Sequence, residues 1–290
     1  MEKIKYPYPT KKIHLGKTVR IAYVDEGKGD YTLLMIHGLG SYLPAWQKNI
    51  EGLKNHFRCV AVDLPNYGKS SRGDYPFTMN FFARTIVDFI ERLQLKNVVL
   101  VGHSMGAQIA MTTVLKTRAS IQKLVLLAPA GFEVFSAEEK GFFYKSVTPE
   151  TIKKTSTTQI EQNFALNFFN NELPHDARFM FEDRLRMRAD PIEYDHYCRM
   201  IPKCVKGMLE APVFDHLQNI NIPTLILFGK GDLLIPNKLL HPDLDSFQVA
   251  QSGQQKIHKS NLHMLSGCGH FILWERPGIV NDHISNFVVN

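Results

Sequence analysis

Cysteine is scarce and scattered. The 290 residues hold four, Cys59, Cys198, Cys204 and Cys268, with no Cys-x-x-Cys pair and no spaced Cys/His set of the kind that binds metal. A disulfide scaffold and a zinc module are thereby excluded, and a reducing, cytoplasmic setting is expected. The opening MEKIKYPYPTKK lacks the apolar stretch of a secretory signal, and no uninterrupted apolar run approaches 18 residues. No run of five or six like charges occurs anywhere in the chain, which weakens a nucleic-acid-binding reading. Internal repeats and low-complexity tracts are absent as well.

What is present suffices for a sizeable core. Hydrophobic residues make up 44% and charged residues 21% of a chain long enough for one large α/β domain carrying an insertion. The formal net charge is +6, unevenly spread. Residues 131–220 hold 11 basic and 14 acidic residues, and the remainder 23 and 14. The first 20 residues hold six basic residues against Glu2. The basic residues do not fall in a nucleic-acid-binding pattern, so they read as a solvated surface and no nucleic-acid partner is expected.

The chain alternates short, wholly apolar runs with longer amphipathic ones. TVRIAYV (18–24) reads as an edge strand, and TLLMI (32–36), RCVAV (58–62), NVVLV (97–101) and KLVLLA (123–128) as buried strands. Between them PFTMNFFARTIVDFIERLQL (76–95) places Phe82, Ile86, Phe89, Ile90 and Leu93 at helical spacing. Apolar strands alternating with helices predict a mostly parallel sheet covered on both faces. Residues 131–216 break the pattern with helical, aromatic-rich segments, and PTLILF (223–228) restores the strand signal. The reading is a core formed by 1–130 and 217–290 with a helical cap, 131–216, inserted into it. SNLHMLS (260–266) is a further strand and 278–288 a last helix, whereas the polar stretch 241–259 reads as a mobile loop with at most a short helix.

The sharpest local signal is Gly102-His103-Ser104-Met105-Gly106, between the apolar strand NVVLV and the helical run MGAQIAMTTVLK. A serine on a tight strand-to-helix turn needs flanking glycines, and the helix N-terminus behind it favours developing negative charge. A plain turn would be the reading if nothing else matched. His37-Gly38-Leu39-Gly40 follows TLLMI, and backbone N–H groups of Leu39 and Met105 are the expected donors to an oxyanion. His37 itself reads as a structural brace for its loop.

Two further segments complete the set. Gly229-Lys230-Gly231-Asp232 ends PTLILF, where a carboxylate can orient an imidazole or cap the following turn. Asp243 and Asp245 are fallbacks inside the polar stretch. Gly267-Cys268-Gly269-His270 follows the last strand and lets an imidazole swing over the sheet edge. His270 stands out among 12 histidines by that setting, which His14, His241, His258 and His263 lack. Cys268 as nucleophile is disfavoured beside the serine turn.

The order Ser104, Asp232, His270, each after a strand, resembles the α/β-hydrolase superfamily over almost the whole chain. Asp63-Leu64-Pro65-Asn66-Tyr67-Gly68-Lys69-Ser70 is similar to a turn that in relatives reads Asp-x-Pro/Arg-Gly-His-Gly-x-Ser, with Asn66 and Tyr67 replacing Gly-His here. Ser104 argues against the dehalogenase and epoxide-hydrolase branches, whose nucleophile is Asp. Monoacylglycerol-lipase-like esterases and carbon–carbon bond hydrolases of ring-cleavage products are the subgroups it resembles, through Val101–Gln108 and Leu127–Gly131.

The resemblance implies an eight-stranded, mostly parallel sheet with an inserted cap, and a serine hydrolase needing no metal or organic cofactor. Small apolar esters are the expected substrates. Carbon–carbon hydrolysis and a non-catalytic small-molecule receptor stay open, as does weak contact with a lipid surface through the basic start and the apolar cap. The cap phenylalanines (132, 135, 142, 143, 164, 168, 169, 179 and 181) mostly read as packing, with a minority lining the site. Arg184, Arg186 and Arg188 read as a solvated helix face beside Glu182, Asp183 and Asp190, with a substrate carboxylate as the alternative partner. Trp274 reads as packing for the last helix.

Overall fold

Side chains of successive strand residues point to opposite faces, so an all-apolar run serves two cores at once. In the computed structural model, which describes residues 4–117 and 121–290, the run Thr32–Ile36 does this: Leu34 and Ile36 enter one core, Leu33 and Met35 the other, and all four are fully buried. The first three residues of the basic opening stretch lie outside the described residues.

The strands are β1 (Lys11–Leu15), β2 (Val19–Glu26), β3 (Thr32–Ile36), β4 (Arg58–Val62), β5 (Val98–His103), β6 (Ile121–Leu127), β7 (Thr224–Gly229) and β8 (Ser260–Leu265). They form one sheet in the order β1-β2-β4-β3-β5-β6-β7-β8. β1 and β2 run antiparallel to their neighbours, and β3 to β8 are parallel. The reading of 18–24 as an edge strand is corrected: β2 pairs on both sides, and the edge is β1, KKIHL, whose exposed polar residues give no apolar signal.

The helices are α1 (Gln47–Leu53), α2 (Met79–Arg92), α3 (Met105–Lys116), α4 (Ala137–Ser146), α5 (Pro149–Lys154), α6 (Thr157–Ala165), α7 (Arg178–Arg188), α8 (Pro191–Glu210), α9 (Ser246–Lys256), α10 (Ile272–Glu275) and α11 (Pro277–Val289). α2 and α3 cover one face of the sheet, with Phe82, Ile86 and Phe89 beside Ala107, Ile109 and Met111. α1 and α11 cover the other through Ile50, Leu53, Val280 and Ile284. Burying each such side chain is worth roughly 1.5–3 kcal/mol.

A second correction concerns 241–259. Most of it is α9, N-capped by Asp245, which accepts a hydrogen bond from the Gln248 N–H while Gln248 answers the Asp245 N–H. Val249 and Ala250 are buried, and Gly253 lies against the Phe132 ring, where a Cβ would come within 2.2 Å. The helix is thus the packed crossover between β7 and β8. Between the paired strands β6 and β7 the chain leaves the sheet as the helical excursion α4 to α8. Among the described residues no helix is long and apolar enough to cross a membrane.

Candidate active site

Ser104 stands between β5 and α3 with φ 54° and ψ −120°, a left-handed backbone that a non-glycine residue adopts only under strain. Its surroundings hold it there. The Ser104 N–H donates to the Leu127 carbonyl at 3.0 Å, and the Ser104 carbonyl accepts from the Ala107 N–H at 2.9 Å. A Cβ on Gly106 would lie 2.1 Å from the Ile36 carbonyl oxygen, and one on Gly102 would lie 2.5 Å from the Ala107 Cα. The turn therefore sits tightly against two strands, which only glycine permits.

The loop after β3 approaches the same turn. A Cβ on Gly38 would be 3.0 Å from the Ser104 Cβ, so the next residue, Leu39, arrives beside the serine. Leu39 and Ser104 line one cavity of about 580 Å³, together with His103 and His270. Met105 is the first residue of α3, where a backbone N–H has no partner within the helix. His37 proves structural. Its Nε2 accepts from the Leu64 N–H at 3.1 Å, which leaves Nδ1–H to donate to the Gly38 carbonyl at 2.9 Å. Burial pushes this imidazole below its ordinary range.

Asp232 does both things weighed for it. Oδ1 accepts from the Leu234 and Ile235 N–H groups at 2.8 and 3.0 Å, fixing the turn after β7. Oδ2 lies 2.8 Å from Nδ1 of His270. The carboxylate is buried behind the ring, so Nδ1–H is the donor and Nε2 is the nitrogen left to take a proton. The fallbacks have other places: Asp245 caps α9, and Asp243 is exposed. Cys268 is fully buried, and its thiol donates to the Leu265 carbonyl. Burial pushes that thiol up to about 12, which leaves it inert.

Two residues gain roles that the sequence reading did not give them, and a third, Arg184, leaves the solvated face preferred for it. His103, the unspecified residue of Gly-x-Ser-x-Gly, is buried with its ring 4.8 Å from that of His270. Glu275 sits five residues past His270 and reaches back to the loop carrying it. Arg184 turns inward, unlike the exposed Arg186, which pairs with Asp183 at 2.6 Å. Its guanidinium lies 4.0 Å from the centre of the Tyr197 ring and donates to the Gly40 carbonyl at 2.5 Å. Nothing in the local pattern EDRLRMR separates Arg184 from its neighbours, because the distinction comes from which way α7 is rotated.

A second lobe of about 310 Å³ adjoins the first, and the two share Leu39, Ser41, Asn167 and Phe271. Met180, Met187, Met200 and Phe164 make its walls apolar, with Arg184 and Asp183 among them. The excursion thus supplies much of both lobes. Of its phenylalanines, Phe135 and Phe143 line the larger lobe and Phe164 and Phe168 the smaller. Phe132 and Phe181 are buried in packing, Phe142 and Phe169 are exposed, and Phe179 lies against Trp274. Trp274 is buried and lines neither lobe.

Residues 31–277 match the family described as alpha/beta hydrolase fold. The chain is 26% identical over 270 residues to an uncharacterised hydrolase of Bacillus subtilis, YugF, covering 91% of this chain and 92% of that protein. It is 27% identical over 293 residues to a 2-hydroxy-6-oxononadienedioate/2-hydroxy-6-oxononatrienedioate hydrolase of Escherichia coli, covering 94% and 92%. Among solved structures, a probable hydrolytic enzyme of Pseudomonas aeruginosa superposes with a TM-score of 0.84 at 21% identity, over 98% of this chain and 96% of that one.

Proposed function

The chain belongs to the alpha/beta hydrolase fold family, a premise from which we propose that it is a serine hydrolase of carboxylic esters with Ser104 as nucleophile, His270 as general base and Asp232 as the carboxylate that orients and steadies the imidazolium. The observation that carries this reading is the 2.8 Å contact between Asp232 Oδ2 and His270 Nδ1, with His270 and Ser104 on the wall of one cavity. A serine hydroxyl alone is a poor nucleophile at neutral pH. His270 Nε2 takes its proton as Oγ bonds to the carbonyl carbon, and the Leu39 and Met105 N–H groups hold the resulting oxyanion. The imidazolium then protonates the departing alkoxide, which leaves an acyl-enzyme. Water, deprotonated by the same imidazole, releases the acid and restores the serine.

Two apolar lobes meeting beside Leu39 support an ester with a sizeable group on each side of the carbonyl. The test is Ser104→Ala, which abolishes turnover of p-nitrophenyl butyrate and labelling by a fluorophosphonate while the melting temperature is kept. Undiminished activity in that variant refutes the reading.

A second reading has its own support. Arg184 brings a cation to the smaller lobe, and the Escherichia coli relative is named for a dienedioate, a substrate with two carboxylates. Carbon–carbon cleavage of a coloured vinylogous diketone acid by the same serine and histidine would bleach it, and a plain esterase leaves its colour unchanged.

A further inference from the structure

The loop from β8 to α10 carries His270 and meets the helical excursion at three points. The Phe271 N–H donates to the Asn167 carbonyl at 2.8 Å. A Cβ on Gly269 would lie within 3.0 Å of backbone atoms of Asn167, Phe168 and Phe169, so the two chains touch main chain to main chain. The third point is the Glu275 carboxylate. Oε2 accepts from the Gly269 N–H at 2.7 Å, and Oε1 accepts from the Phe169 N–H at 2.8 Å. One side chain thus joins the residue preceding His270 to the excursion, with both of its oxygens occupied. Two backbone donors on a half-buried carboxylate are charge-assisted bonds, stronger than neutral ones.

From this geometry we infer that Glu275 is a positioning residue for His270, a part of the hydrolytic machinery that acts by tying the histidine loop to residues 167–169. The inference rests on the reading of His270 as general base to Ser104. The bridge fixes the backbone on the N-terminal side of His270, as the Asn167 carbonyl does on its C-terminal side. Asn167 also lines both lobes, so the wall that meets the substrate and the loop that holds the base are one connected unit. A base displaced by a fraction of an ångström from its nucleophile loses rate while ground-state binding is kept.

Glu275→Gln keeps the shape but gives one N–H an amide NH2 to face in place of an acceptor. The expected result is a kcat for p-nitrophenyl butyrate lower on the order of tenfold, with KM within about twofold. The rate of fluorophosphonate labelling per reactive site falls by a similar factor. A role confined to stability would lower the melting temperature and the number of reactive sites, leaving the rate per site unchanged, and that outcome overturns the inference. Should Glu275→Gln fail to fold, the pair Phe169→Pro and Phe169→Ala decides. Both remove the ring, but only proline removes the N–H, and the residue before it, Phe168, already has the extended backbone that proline requires (φ −113°, ψ 157°). Slower labelling in Phe169→Pro than in Phe169→Ala supports the inference, and equal rates overturn it. Wild-type protein that resists labelling overturns the reading of Ser104 and this inference with it, whereas labelled wild type with an unaffected Glu275→Gln overturns this inference alone.

Discussion

The imidazole of His103 donates through Nε2 to the carbonyl oxygen of His270, 3.0 Å away and 167 residues along the chain. A carbonyl can only accept, so the proton sits on Nε2. Burial drives this imidazole well below its ordinary range, and the nearby His270 and His37 rings act in the same direction. His103 is therefore a neutral donor. The residue preceding the serine holds the main chain of the residue assigned as its base.

Replacing that donor loosens the base and orphans a buried carbonyl. His103→Phe keeps an aromatic ring and removes the hydrogen bond. Stability falls by about 1–3 kcal/mol, the usual consequence of a buried polar group left unpaired. The rate of esterolysis per active site falls with it. Urea unfolding combined with active-site titration separates the two effects, and a variant matching wild type in both would contradict the assignment.

Acid sensitivity follows from the two buried neutral histidines. Burial lowers His37 and His103 below the ordinary value of 6.5. In the unfolded chain both take up protons near pH 6.5, whereas the folded chain does so only at lower pH. The unfolded state then binds more protons, so stability declines as pH falls through and below 6.5. The slope is at most ~1.4 kcal/mol per pH unit for each histidine. The expected loss between about pH 7.5 and 5.5 is on the order of 2 kcal/mol by urea titration. A flat profile over that interval would contradict the neutral, buried state of these rings.

Asp232→Asn separates turn formation from catalysis. The asparagine oxygen still accepts from the Leu234 and Ile235 N–H groups, so the fold and melting temperature change little. Its NH2 now faces His270 Nδ1 and forces the opposite tautomer, which puts a proton on the nitrogen that must accept one. Tautomer errors of this kind lower kcat about 10⁴-fold in serine triads. A loss below tenfold would remove Asp232 from the proposed set.

Filling the larger lobe tests what it holds. Met208, on α8, lines it beside Val205 and Leu209. Met208→Trp shortens the space for an acyl or alcohol chain, and each methylene excluded from apolar contact costs about 0.8 kcal/mol. The expected result is a kcat/KM for a p-nitrophenyl octanoate lowered by tenfold or more, with the acetate changed far less. Equal losses for both esters would place the substrate chain elsewhere.

Much of this site was readable before any coordinates, for a physical reason. Buried parallel strands must be apolar on both faces, so β3, β5, β6 and β7 announce themselves, and the loops at their ends are then fixed in order. Ser104 and Asp232 lie on such loops, and His270 follows the half-exposed β8, where flanking glycine rather than an apolar strand marks it. The structure brings Asp232 to His270 and sets His270 and Ser104 on one wall. β1 escaped because an edge strand with Lys11, Lys12 and His14 facing solvent carries no such signal. α9 escaped because its buried strip is narrow, although Asp245 and Gln248 formed a readable capping pair. His103, Arg184 and Glu275 were illegible for a deeper reason: each acts on a partner more than 140 positions distant or on a backbone group, and only folding brings these together, except where Glu275 reaches Gly269.

The excursion leaves and rejoins the core at a single spot. The Gln108 amide on α3 donates to the Met208 and Ala211 carbonyls at 3.0 and 3.1 Å, while a Cβ on Gly131 would lie 2.7 Å from Val213 and 3.3 Å from the Gln108 side chain. Departure and return are therefore side by side, four residues past Ser104, the proposed nucleophile. A segment rooted this way can be exchanged for a longer, shorter or differently shaped one without stretching the sheet beneath it, so a new substrate repertoire is open to a chain that leaves its chemistry untouched.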